Sequence, residues 1–403
     1  MISFSARPIR SGGQVTDTAN ENRNQPELRA KVIAMYFPQF HVIPENDEWW
    51  GEGFTDWVNV KKARPQFEGH YQPRVPLDGD YYDQSQPEVL RRQAELARNF
   101  GIYGFCHYHY WFDGRQLLES PTEIMLADRS IDIPFCLSWA NETWSRRWDG
   151  LNFQLLIKQT HPADKKRWKL HFDYLLKAWT DDRAIKVDGK PVFVIYRPQN
   201  IPEVADMLDY WRELAHQSGL PGLYFIVQKS FQYPRKCFDG FDAMFQFQPF
   251  ETIHSPFMDG RPNKYSLFGK IVHSMPERLQ DFLRGIYARA LQKMSVHDYE
   301  AVWNYIVQVR NDEQLVTYPG AFADWDNTAR YGNRARLFRG ASPERFEYWF
   351  GKLLESMPER GLPEDFIWLN AWNEWAEGAY LEPDEKFGLA YLSALKSQVT
   401  RHS

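Results

Sequence analysis

Three cysteines in 403 residues, Cys106, Cys136 and Cys237, are too few and too scattered for a disulfide framework or a zinc site. Two of them fall in apolar, strand-like runs, where a thiol behaves as a small hydrophobe. Excess charge of one sign is also lacking. The net charge is -5, so no global field recruits nucleic acid or an anionic membrane. No apolar run approaches the ~18 residues of a membrane span. Residues 1–29 are polar and lack the apolar heart of a signal peptide, which predicts a disordered tail and a cytoplasmic location. Residues 30–403 are then expected to form a single domain. A Gly-rich phosphate loop is missing too. The first strand runs into Tyr36-Phe37-Pro38-Gln39, unlike the turn that opens a doubly wound nucleotide-binding sheet. No cofactor is expected.

Aromatic residues, by contrast, make up 16% of the chain, and many sit beside Asn, Asp, Glu, Arg and His in turn-like segments. A packed core does not require that placement; a sugar-stacking surface does. Apolar strand runs alternate with amphipathic helices throughout. Strands are expected at Val32–Tyr36, Ile102–Cys106, Pro134–Trp139, Val192–Tyr196, Leu223–Val227, Ala243–Phe247, Val316–Phe322 and Phe366–Asn370. Helices are expected near Pro87–Asn99, Gln116–Ala127, Ala163–Trp179, Pro202–His216, Pro343–Ser356 and Lys386–Gln398. Residues 249–312 break the rhythm, with helical segments near Glu277–Met294 and His297–Val309. The pattern predicts an α/β fold: a (β/α)8 TIM barrel with long βα loops and a helical insertion after strand six.

In such a barrel the active site lies at the C-terminal strand ends. The first strand and its long loop bring Tyr36, His41, Trp50 and Trp57. The second brings His107, His109 and Tyr110, and the third Trp139, Asn141 and Glu142. A cationic and aromatic patch with Arg147 and Trp148 follows. Strand four gives Tyr196, strand seven Trp325, Asp326 and Asn327. Strand eight gives Asn370, Trp372, Asn373, Glu374 and Glu377. The last two matter most, because residues i and i+3 on one turn share a side. Two carboxylates reaching one sugar ring are what glycosidic-bond chemistry uses. His107-x-His109 could start a metal site, but later strands offer Gln228, Gln246 and Gln248 instead of further ligands. Hydrogen bonding to sugar hydroxyls is the better expectation, and no metal is expected. Asp324-Trp325-Asp326 matches the short Asp-x-Asp pattern of some nucleotide-sugar transferases, without a phosphate cradle beside it. The expected partner is an oligosaccharide or polysaccharide.

Longer motifs stand out as well. Tyr36-Phe37-Pro38-Gln39-Phe40-His41, Trp49-Trp50-Gly51, Gly69-His70-Tyr71-Gln72-Pro73, Trp139-Ala140-Asn141-Glu142, Trp325-Asp326-Asn327-Thr328 and Asn373-Glu374-Trp375-Ala376-Glu377-Gly378 resemble the WbsX family. That family is labelled glycosyltransferase, occurs in lipopolysaccharide O-antigen gene clusters, and is related to the family 99 endo-α-mannosidases. The resemblance covers about residues 31–398 and implies the same barrel. It implies that Glu374 deprotonates a sugar 2-hydroxyl, giving a 1,2-anhydro intermediate, and that Glu377 is general acid, then general base. Ala376 stands where the mannosidases often carry His. The implied activity is that of a retaining glycoside hydrolase on a bacterial polysaccharide. Sugar transfer in O-antigen synthesis is the runner-up, and a non-catalytic glycan-binding barrel the third reading.

Overall fold

Short runs of Val, Ile and Phe buried on both faces are what a helix-covered parallel sheet demands. In the computed structural model, which describes residues 28–146, 151–230, 235–255, 294–309 and 315–400, these runs close into a ring. The strands are β1 (Lys31–Tyr36), β2 (Ile102–Phe112), β3 (Phe135–Trp139), β4 (Lys190–Ile195), β5 (Tyr224–Lys229), β6 (Ala243–Gln246), β7 and β8 (Phe366–Asn370). β7 comes in two pieces, Val316–Tyr318 and Gly320–Phe322, because Pro319 between them has no N–H for the ladder. Each strand pairs in parallel with the next, the first piece of β7 with β6 and the second with β8. The pairing of β8 with β1, Ile33 opposite Trp368, shuts the barrel. Gly320 permits the closure: a Cβ there would lie 1.7 Å from the Gln246 carbonyl oxygen.

Besides a single turn at Phe250–Ile253, the α-helices among the described residues are α1 (Pro44–Trp50), α2 (Trp57–Lys62), α3 (Pro87–Asn99), α4 (Ser120–Ala127), α5 (Lys165–Trp179), α6 (Val204–Gln217), α7 (Tyr299–Gln308), α8 (Thr328–Tyr331), α9 (Pro343–Glu355) and α10 (Ala390–Val399). α3 starts at a proline and buries Val89, Leu90, Ala94 and Ala97 on one face, with Leu96 half-buried beside them. α9 begins where Ser342 accepts from the Arg345 N–H, a side-chain N-cap. Each of the eight expected strands and six expected helices overlaps one of these elements, but the helix expected from Gln116 starts only at Ser120, because Arg115–Leu117 is a strand paired antiparallel with the end of β2. The long first loop carries α1 and α2. Of the expected insertion, α7 is described; the helix near 277–294 and the tail through residue 27 lie outside the described residues.

One strand decides where the site's walls come from. Successive β2 side chains alternate between barrel interior and helix layer. Tyr108 points inward, where its hydroxyl accepts from Gln228 Nε2 of β5 at 3.3 Å. His109 points outward and meets His171 of α5 at 2.9 Å. Among the described residues no helix is long and apolar enough to cross a membrane.

Candidate active site

After β8 the chain does not leave the barrel mouth. The Trp372 N–H donates to the Met35 carbonyl at the end of β1 (2.8 Å). Asn373 then grips β1's continuation from both sides: its Oδ1 accepts from the Phe37 N–H at 2.7 Å, and its Nδ2 donates to the Phe37 carbonyl at 2.9 Å. A buried amide thus imitates a strand neighbour and fixes Glu374 beside the first loop. One turn of 3-10 helix, Trp375–Glu377, follows. Trp375 is stacked on Tyr380 with ring centres 3.8 Å apart, and its Nε1 donates to Glu382 at 2.6 Å. The Glu377 carbonyl accepts from the Asp326 N–H at 2.7 Å, tying the turn to β7's exit. Asp326 in turn accepts from His70 (2.8 Å), Gln72 (2.9 Å) and both the N–H and the hydroxyl of Thr328. Burial pushes its carboxyl up, but these donors and nearby Arg74 outweigh burial and hold it well below the usual carboxylate range.

The Asp326–Thr328 contacts start α8, and α8 delivers Arg330 to the floor of the cleft. Its guanidinium donates to Glu377 (2.5 Å), Asp56 (2.8 Å) and Glu374 (3.3 Å). One buried cation therefore holds both glutamates of the turn and an aspartate from the first loop. Burial raises both glutamates above the ordinary carboxylate value; Glu374 is raised further by the neighbouring Glu377, and Arg330 pulls each back down. The shorter Arg330 bond favours the anion on Glu377. Two carboxyls on one guanidinium, each raised by burial, titrate as a coupled pair and disfavour double ionisation. The cleft above them encloses about 250 Å³. Phe37, Trp50, Tyr108, Tyr110, Trp144, Tyr196 and Phe247 wall it, and Glu142 stands among them.

A family model described as "Glycosyltransferase WbsX" matches residues 32–395. The chain belongs to the WbsX family. It is 36% identical over 380 residues to an uncharacterised protein, WxcX, of Xanthomonas campestris pv. campestris strain B100, covering 93% of this chain and 50% of that protein. The WxcX of strain ATCC 33913 is 37% identical with the same coverage. This WbsX chain thus spans about half the length of the curated relatives it matches. Among solved structures, a "glycoside hydrolase-like protein" superposes with a TM-score of 0.57 at 14% identity, over 93% of this chain and 94% of that one. The GH99 endo-alpha-mannosidase from Bacteroides thetaiotaomicron gives 0.50 at 13% identity, over 91% and 96%. At such identities what is shared is the fold.

Within this WbsX barrel the residues singled out from the sequence divide into groups. Glu374, Glu377, Trp50, Tyr110, Glu142 and Tyr196 line one cleft. Asn141, Asp326, Asn327, Asn370 and Asn373 brace it from behind. Asn141 grips the Arg197 backbone as Asn373 grips Phe37, with bonds of 2.7 and 2.8 Å. Asn327 accepts from the Arg336 N–H at 2.7 Å, and Asn370 donates to the Gln248 carbonyl at 2.9 Å. A third group, expected at the substrate, lies in the packing and outside the cleft lining. Tyr36 donates to Gln93 of α3 and stacks on His107, centres 4.3 Å apart. His107 and His109 face the helices, and burial drops both to about 3, leaving neutral rings. Trp139 packs edge-on to His171 at 4.7 Å. His41, Trp57, Trp325 and Trp372 are buried and not among the residues lining the cleft. Arg147 and Trp148 lie outside the described residues. Reading the sequence missed Arg330, Asp56 and Tyr108. Tyr108 shares Tyr110's face by period two, but its contact with Gln228 is what shows that face to look inward.

Proposed function

We propose that this WbsX-family barrel acts on glycosidic bonds of a bacterial polysaccharide by a retaining, paired-glutamate mechanism. The observation that carries the reading is the pair itself: a buried and a half-buried glutamate on one guanidinium, at the floor of an aromatic cleft. Carboxyls with raised proton affinity can donate and accept protons near neutrality. In the first step Glu374 takes the proton of the sugar 2-hydroxyl while that oxygen attacks C1, and Glu377 protonates the departing glycosidic oxygen. In the second, Glu377 takes a proton from the acceptor hydroxyl, which opens the 1,2-anhydro ring, and Glu374 returns its proton to O2. Acid duty for Glu377 requires the proton of the pair on that residue, so its short bond to Arg330 must give way to the glycosidic oxygen. Aromatic walls supply faces for the apolar sides of pyranose rings.

The acceptor is water in the leading reading. The family's description favours a second, in which a sugar hydroxyl takes water's place. Purified protein incubated with O-antigen-type oligosaccharides, with and without nucleotide sugars, separates them. Cleavage without any nucleotide sugar is expected; strict dependence on one would instead establish transfer. Glu374→Gln and Glu377→Gln should each lower turnover by about 10²–10⁴-fold while glycan binding persists. A substrate with a good leaving group should restore the first step of Glu377→Gln and not of Glu374→Gln. Full turnover in both variants would end the paired-glutamate mechanism.

A further inference from the structure

The loop after β1 brings two amides to the cleft that the glutamate chemistry does not use. Gln39 and Asn46 line the same cavity as Glu374 and Glu377 and are only 5% and 2% exposed. Yet Gln39 Oε1 and Asn46 Nδ2 have no hydrogen-bonding partner among the described residues. Folded chains seldom leave a buried amide oxygen or N–H unpaired, because its lost hydration is not returned. The local backbone holds both in place. The Gln39 carbonyl accepts from the Asp56 N–H at 3.0 Å, which sets this residue against the loop that carries Arg330's aspartate partner. Asn46 sits within α1, whose end is fastened by the Gly51 N–H on the Asp47 carbonyl at 3.0 Å.

One unmatched group is an acceptor and the other a donor. Neighbouring ring hydroxyls satisfy both, giving a proton to Gln39 Oε1 and accepting one from Asn46 Nδ2. Neither amide is charged. Among the described residues, the carboxylic acids lining the cleft are Glu142, Glu374 and Glu377, and Arg330 is already engaged by carboxylates. Glu142 is itself paired with Arg197 at 2.6 Å, so the described lining holds no cation left over for a uronate or phosphate, and a neutral sugar needs none. Trp50 and Trp144, both half-buried, line the same cavity and offer ring faces to a pyranose.

We infer that Gln39 and Asn46 form a hydroxyl-binding subsite for a neutral sugar unit of the glycan; this rests on the proposed action on polysaccharide. The test uses Gln39→Leu and Asn46→Leu, with Asn46→Asp as a variant of the same shape in which the donor becomes an acceptor and a negative charge is added. Binding and turnover of neutral oligosaccharides and of uronic-acid-containing ones are measured on each folded variant. All three substitutions should raise KM for neutral oligosaccharide by about tenfold, with a much smaller change in kcat. The two leucine variants should melt at or above the temperature of the unaltered chain, since a buried unpaired group has been removed. A group that merely supported the loop would lower the melting temperature and leave KM alone. If the unaltered chain turns over neutral oligosaccharide and the variants match its KM, the subsite alone is overturned. A preference for uronic-acid oligosaccharides overturns its neutral character. If the unaltered chain neither binds nor cleaves any of them, the paired-glutamate reading falls together with the subsite.

Discussion

Arg330 is the residue on which the cleft's electrostatics turn. Its single charge faces Asp56, Glu374 and Glu377, and its contribution lowers both glutamates against the upward push of burial. Arg330→Gln removes that contribution. Both glutamates should then hold their protons to higher pH, and the acid limb of the pH–rate profile should move up. Leaving buried carboxylates without their cation costs about 3–5 kcal/mol, so unfolding should occur at lower denaturant. An acid limb that stays in place would show that Arg330 does not tune the pair. Glu382, behind Trp375, offers a second test. Burial pushes it up to about 7 from 4.5, against donors from Trp375, Tyr82 and Gln93. Because the folded value is the higher one, its stabilising effect is complete below about pH 4.5 and lost as pH rises through 7, on the order of 3 kcal/mol. Glu382→Gln should flatten the fall in stability between those pH values. A slope equal to that of the unaltered chain would count against this assignment.

At the scale of elements, the 3-10 turn after β8 places the chemistry, and Gly378 ends it. Its φ is +62°, and a Cβ there would lie 2.9 Å from the Asp326 nitrogen. Gly378→Ala should therefore cost about 1–2 kcal/mol from the left-handed backbone alone. It should also lower kcat, because the strut from Asp326 N–H to the Glu377 carbonyl runs past that carbon. Unchanged kcat with lowered stability would mean the strut is dispensable. How far such elements can be read beforehand depends on what burial leaves visible. Strand positions were legible, since each is an apolar run between polar stretches. Which face of β2 looks inward was not, because a barrel strand is buried on both sides and shows no polar alternation. His107-Tyr108-His109-Tyr110 reads equally well in either register; only the contacts of His109 with His171 and Tyr108 with Gln228 decide it. Arg330 was hidden for another reason. It belongs to a four-residue helix whose first residue, Thr328, is held by Asp326, and its partners lie 44 to 274 positions away.

For the whole molecule, a closed ring has no edge strand, so chain order matters less than which strands are neighbours. The two ends of the described barrel meet: the Arg29 N–H donates to the Val399 carbonyl at 2.8 Å, and Leu28 forms a bridge with Thr400. That junction lies at the start of β1, the N-terminal face of the barrel, whereas the cleft is built from the opposite ends of the strands. The exposed turn at Ser218 and Gly219, between α6 and β5, lies on the junction's face. A chain opened at that turn, with residues 28 and 400 joined by a short linker, should still close β8 onto β1. It should unfold cooperatively and bind the same oligosaccharides, since no cleft residue has moved along its own loop. Calorimetric melting and glycan titration of the permuted chain measure both. A permutant that folds but fails to bind would show that the cleft depends on tension from the far face. One that fails to fold would show that β4 and β5 must be joined by chain for the ring to form.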